Sequence, residues 1–248
     1  KGQQRMPDRC KDKPVEFKPI HPMQEIYADV ATITATEAYD GMNHIVCFRE
    51  APGQLRGYYA IKELKDAASK FEEFLKEHFP NVSDRGAMEK HQLLVKPDGD
   101  LAAFGEAFAD VGKSFGYQVS ASLPRQPDEN QAEWAVNEVK RRATTLLEDN
   151  CLPTTCFPLV LRYISQIACL SPSSSHKEFM SPYEYVTDGR KVSLEELIPF
   201  GTFGWKPKTK EERTSLGWRG KPVMFLGWDS IYKRGGVWVM SLDLSLIH

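Results

Sequence analysis

Glu25-Ile26-Tyr27-Ala28-Asp29-Val30-Ala31-Thr32-Ile33 reads as a β-strand with a charge in its middle. Apolar and β-branched residues alternate along it. Asp29 breaks the alternation, and a carboxylate inside a strand is out of place unless it is paired or used. On the solvent face of an antiparallel sheet it is merely hydrated. Two further strands follow, His44–Phe48 and Gly57–Ile61. The turn residues Asp40-Gly41 and Pro52-Gly53 lie in the links.

The period then changes. Leu64, Ala67, Ala68, Phe71 and Leu75 recur at helical spacing within 62–79. His91–Val95 is a short apolar run, the expected fourth strand. Phe104–Phe115 reads as a helix stopped by Gly116, and Tyr117–Ala121 as a fifth strand. A polar, proline-bearing loop covers 124–130. Two helices follow, from about Asp128 to Glu148 and from about Thr155 to Leu170. Three meander strands followed by alternating strands and helices give a mixed sheet with helices on both faces. This is the element order of the ribonuclease-H-like fold.

The expected organisation is a basic extended lead-in at 1–21, an α/β core at 22–170, a connector at 171–199 and a small β-rich module at 200–248. The connector holds Ser/Pro-rich sequence and a short helical segment, Leu194–Leu197. The last module is aromatic, as in Pro222–Trp228 and Gly236–Met240.

Charge follows this division. The net charge is −2, yet residues 1–18 carry +3 and residues 206–234 carry +5, leaving −10 elsewhere. An acidic middle with basic ends suits a carboxylate-bearing core flanked by polyanion-binding arms. Two solvated surface segments would give the same numbers. No apolar run approaches the ~18 residues of a membrane span, so no membrane partner is expected. Five cysteines without a C-x-x-C pair indicate neither a zinc ribbon nor a disulfide framework. Reduced thiols in an intracellular compartment are expected. The chain starts at Lys1 and reads as a piece of a longer polypeptide.

Three acids stand at informative positions: Asp29 in the first strand, Asp98 after the fourth, and Glu133 early in the long helix. In a ribonuclease-H-like sheet the first and fourth strands are neighbours, and the long helix starts over the same edge. Converging carboxylates repel unless cations neutralise them. Hard oxygen ligands select Mg²⁺ or Mn²⁺. Two such ions can hold the attacking and leaving oxygens of a phosphoryl displacement. On the helix, Glu133, Asn137, Lys140 and Thr144 share a face, with Arg141 at its edge. Val136, Val139, Ala143, Leu146 and Leu147 form the opposite face.

Asp29, Lys96-Pro97-Asp98-Gly99, and Pro124 to Glu133 with Asn137 resemble the catalytic core of a retroelement integrase. Ser181-Pro182-Tyr183-Glu184, Leu197–Gly201 and Arg219–Trp228 resemble stretches that follow this core in copia-type retrotransposon polyproteins. The resemblance implies DNA integration by a two-metal polynucleotidyl transferase. Asp29, Asp98 and Glu133 would be its catalytic, metal-binding residues, with two Mg²⁺ or Mn²⁺ ions as cofactors. Asn130 and Asn137 match family asparagines. Lys140, Arg141 and Arg142 would contact DNA phosphates. Element ends and target duplex would be the DNA partners, a homo-oligomer the working form and, for a eukaryotic host, the nucleus the place. The spacing from Asp98 to Glu133 is one residue shorter than usual in the family, and Gln131 stands where a glycine is usual. A catalytically decayed nucleic-acid- or protein-binding module, or a related ribonuclease-H-like nuclease, are the alternatives.

Overall fold

The computed structural model describes residues 21–33, 41–82, 93–98, 104–120, 131–174, 176, 179–191, 197–212, 217, 219–232 and 236–241, the side chains of 131–133 excepted. The lead-in, the 124–130 loop and the Leu194–Leu197 segment, save Leu197, lie outside the described residues.

β1 (Glu25–Thr32), β2 (His44–Ala51) and β3 (Arg56–Ile61) form an antiparallel meander. β4 (Leu93–Pro97) lies parallel to β1, and β5 (Tyr117–Val119) parallel to β4. The sheet order is β3-β2-β1-β4-β5. The period-2 alternation sends Ile26, Ala28, Val46, Phe48 and Val95 to one face. There they bury Phe71 and Phe74 of α1 (Ala67–His78) and Phe108 of α2 (Glu106–Ser114). Ala31, Ile45, Cys47 and Tyr58 go to the other face. That face is covered by Val136, Val139 and Ala143 of α3 (Gln131–Asp149) and by Val160, Leu161 and Ile164 of α4 (Phe157–Leu170). This strand order, with one antiparallel strand inside the sheet and helices on both faces, is ribonuclease-H-like.

Several boundaries differ from the sequence reading. β4 is described from Leu93 and runs on through Lys96 and Pro97, past the expected end at Val95. A proline is tolerated there for a geometric reason. The Leu94 and Asp98 amides donate to the Gln24 and Ala28 carbonyls, on the β1 side, so position 97 faces β5, which ends at Val119. α3 is described from Gln131 to Asp149, and the expected start at Asp128 lies outside the described residues. Single 3-10 turns precede α1 and α4, delaying their starts to Ala67 and Phe157.

β3 is an edge strand, and side chains of α4 close part of that edge. The Arg56 amide donates to Cys169 Sγ and the Cys169 thiol donates back to the Arg56 carbonyl, both at 3.4 Å. The Tyr58 amide donates to Ser165 Oγ at 2.8 Å. Beyond α4, α5 (Pro182–Val186) is started by a capping box in which Ser181 Oγ accepts from the Glu184 amide.

A second, antiparallel sheet follows: β6 (Phe203–Pro207), β7 (Gly220–Trp228) and β8 (Val237–Ser241), in the order β6-β7-β8. It packs on α4 through Tyr163, whose ring stacks on Trp228 and meets Phe225 edge-on. Gln166 grips the Trp228 backbone with both ends of its amide: Oε1 accepts from the nitrogen at 3.0 Å and Nε2 donates to the carbonyl at 2.6 Å. Gly227 makes that grip possible. Its φ is +146°, and a Cβ there would lie 2.8 Å from Gln166 Oε1.

Candidate active site

On the face covered by α3, side chains two residues apart along the strands form successive rungs, roughly 7 Å apart. One rung runs Asp98, Asp29, Cys47, Tyr58. Asp29 is the register partner of Cys47, and Cys47 of Tyr58. Ala28 is the register partner of Pro97, and the Asp98 amide donates to the Ala28 carbonyl at 2.8 Å. Asp98, directly after the end of the neighbouring parallel strand β4, therefore continues its register beside Asp29 and on the same face.

Like charges this close raise each other's electrostatic energy unless a cation lies near. Lys140, half-buried on α3, is one such cation. Its charge registers at Cys47, whose thiol is pushed up mainly by burial and further by the Asp29 carboxylate, with Lys140 opposing both. Asp29 Oδ1 also accepts from the Val30 amide at 2.7 Å. Two adjacent carboxylates facing one way are a fitting partial ligand set for a hard divalent cation.

Glu133 lies in the first turn of α3, but its side chain and the whole of Asn130 lie outside the described residues. Among the described residues no three His, Cys, Asp or Glu side chains group to hold a metal ion. Asn137 and Arg141 are exposed on α3. Arg142 is turned to its own helix, with Nη2 2.6 Å from Glu138 Oε1.

The neighbouring rung was not foreseen from sequence. It runs Lys96, Tyr27, Arg49, Arg56, each the register partner of the next. Lys96 pairs with buried Glu25 and sits 5.4 Å from the Tyr27 ring centre. Arg49 Nε donates to Gln54 Oε1 at 3.2 Å. Burial, and then the Arg56 charge, pull the Arg49 guanidinium below its ordinary pKa. Arg56 Nη1 reaches Glu138 Oε2 at 2.7 Å. Over this rung lies Trp134 of α3, 5.0 Å from the Arg49 guanidinium and 5.3 Å from that of Arg56, and itself 52% exposed. A signal existed in the sequence: Trp134, Glu138 and Arg142 recur at i, i+4, i+8 and so share one helical strip.

A cavity of about 340 Å³ lies elsewhere, between β3, α1, α4 and the second sheet. Tyr59, Glu77, Arg162, Gln166 and Trp238 are among its lining residues, and neither aspartate reaches it.

No family model and no curated protein matches the chain. Solved structures similar to it include the BIV integrase catalytic core, at 11% identity and a TM-score of 0.45, covering 67% of this chain and 95% of that one. The HTLV-2 integrase catalytic core in complex with magnesium gives 11% identity, a TM-score of 0.46 and coverages of 68% and 99%. The simian T-cell lymphotropic virus intasome, in complex with PP2A regulatory subunit B56 gamma, gives 9% identity, a TM-score of 0.47 and coverages of 91% and 81%.

Proposed function

We propose that the chain is a polynucleotidyl transferase of integrase type that trims and joins DNA ends. The observation that carries this reading is the pair Asp29–Asp98, side by side on the central parallel strands under a helix whose first turn holds Glu133. Asp29 and Asp98 would supply oxygen ligands, with Glu133 as the third acid. When bound, Mg²⁺ or Mn²⁺ supplies the positive charge that offsets charge developing on phosphate oxygens. Lys140 would hold a non-reacting phosphate near the aspartates, and Asn137 and Arg141 would carry the duplex backbone further along the exposed face of α3. The motifs Ser181–Glu184 and Arg219–Trp228 support the narrower reading of a copia-type retrotransposon product. A homo-oligomer acting in the nucleus of a eukaryotic host belongs to the same proposal.

The test is strand transfer and end trimming of a short duplex with Mg²⁺ or Mn²⁺, comparing the unaltered chain with Asp29→Asn and Glu133→Gln. Joining that both substitutions abolish supports the proposal. Cleavage without joining points to a nuclease. Binding without either reaction points to a decayed module. Undiminished joining by Glu133→Gln would remove Glu133 from the site.

A further inference from the structure

The cavity between β3, α1, α4 and the second sheet contains an acid that the fold leaves without a counter-ion. We propose that this cavity binds a small organic cation, a primary ammonium on an apolar body. Glu77 is its counter-charge, and Tyr59 and Trp238 pack on its apolar part. The inference stands apart from the DNA reading, because neither aspartate reaches the cavity.

Small-molecule sites are concave, mostly apolar and roughly 300–1,000 Å³ in volume, with a few polar groups that fix the ligand. At about 340 Å³, with Leu159 and Leu226 beside the two aromatic rings, this cavity is of that kind. The cations in its lining are already engaged. Arg56 reaches Glu138, and Lys70 Nζ lies 2.8 Å from Glu73 Oε2. Arg162 donates from Nε to the Trp228 carbonyl at 3.0 Å and from Nη2 to the Asp229 carbonyl.

Glu77 is half-buried, and among the described residues no cation lies within 4.0 Å of its carboxylate. Burial raises its pKa. The Arg162 charge and the Ile231 amide oppose that rise, while Glu73 and Asp229 add to it. Glu77, Glu73 and Arg162 also act on the Tyr59 phenol, so these groups share one neighbourhood. The Tyr59 hydroxyl has no hydrogen-bond partner among the described residues and can accept from an ammonium. His78 adds no charge, since burial keeps it neutral against the Tyr232 hydroxyl. An anion would find every cation taken, and a neutral apolar molecule would bury Glu77 unmatched.

The experiment titrates phenethylamine, its neutral counterpart 2-phenylethanol and a capped Leu-Lys-Leu peptide into the full chain by NMR, with melting curves alongside. Phenethylamine should bind at least ~10-fold more tightly than 2-phenylethanol, because a charge-assisted contact is gained. Glu77→Gln should remove that preference and leave 2-phenylethanol unchanged. Leu159→Trp, which fills the cavity from a half-buried position, should weaken both. Acid should weaken the amine alone, since it protonates Glu77. Peptide binding that depends on Glu77 would identify the source of the cation as a lysine side chain, and its absence a free amine; either upholds the site. Equal binding of amine and alcohol, amine binding that Glu77→Gln leaves intact, or no binding of either overturns the inference and leaves the transferase reading standing.

Discussion

Glu138 and Arg56 join the long helix to the edge of the sheet: Oε2 of one lies 2.7 Å from Nη1 of the other, with side chains only 6% and 13% exposed. The second oxygen of Glu138 takes Arg142 at 2.6 Å. A buried pair of this kind adds little to stability, yet breaking it from one side strands a charge. Glu138→Ala should therefore cost roughly 3–5 kcal/mol in urea unfolding. Combining it with Arg56→Met should restore much of that, since no guanidinium then remains to be satisfied by Glu138 from the sheet. A loss below about 1 kcal/mol for the single change would mean the pair behaves as if solvated.

Two buried groups give the stability opposite pH slopes. Burial raises Glu50 from 4.5 to about 7, against the lowering effect of hydrogen bonds from the Met23, Gly53 and Leu55 amides. A raised acid contributes fully below pH 4.5 and loses its contribution as pH rises to about 7. Burial lowers His78, bonded to the Tyr232 hydroxyl at 2.8 Å, from 6.5 to about 3. Its contribution is full above pH 6.5 and is lost as pH falls towards 3. The stability advantage of the unaltered chain over Glu50→Gln should thus shrink by roughly 3 kcal/mol between about pH 4 and pH 8. Denaturation midpoints across that range read it out, and a constant difference would show that Glu50 does not titrate there.

Metal should stabilise the unaltered chain through its aspartates. At one hundred times the dissociation constant, the gain is about 2.7 kcal/mol. Asp29→Asn and Asp98→Asn should each abolish the Mn²⁺-induced rise in melting temperature. Without metal, each should be neutral or stabilising, because it removes one of two adjacent like charges. A Mn²⁺ response in either variant equal to that of the unaltered chain would sink the ligand assignment.

On duplex DNA, replacing Lys140 and Arg141 together should lower the slope of log K against log salt by about 1.8, at about 0.9 per phosphate. Arg142→Gln should leave it unchanged, because Glu138 already holds that guanidinium. A larger effect from Arg142 than from Lys140 would move the DNA path to the other side of α3.

The sequence made the sheet legible because each strand carries its own local signal. Asp29 drew notice as a charge in the middle of an alternating run, and its neighbour strand followed from element order. The expected fourth strand ends at Val95; only the parallel pairing shows that Lys96 and Pro97 continue it, with the missing N–H of Pro97 falling past the end of β5. The rung of Lys96, Tyr27, Arg49 and Arg56 depends on the register of four strands. That register is set by long-range pairing, and no local pattern states it. Two signals were within reach. Ser181-x-x-Glu184 spells a capping box, and Glu138–Arg142 is an i, i+4 ion pair.

The Cys169 and Ser165 contacts along β3 bear on how copies of this protein can meet. An uncovered edge strand is a template for a foreign strand, and the usual defences are charge, proline or a covering element. Here a helix supplies a thiol and a hydroxyl that occupy the outward amides of Arg56 and Tyr58. These two amides are thereby closed to a foreign strand. The thiol suits the task chemically. Burial pushes Cys169 up to about 12, so it stays protonated and unreactive while it guards the strand.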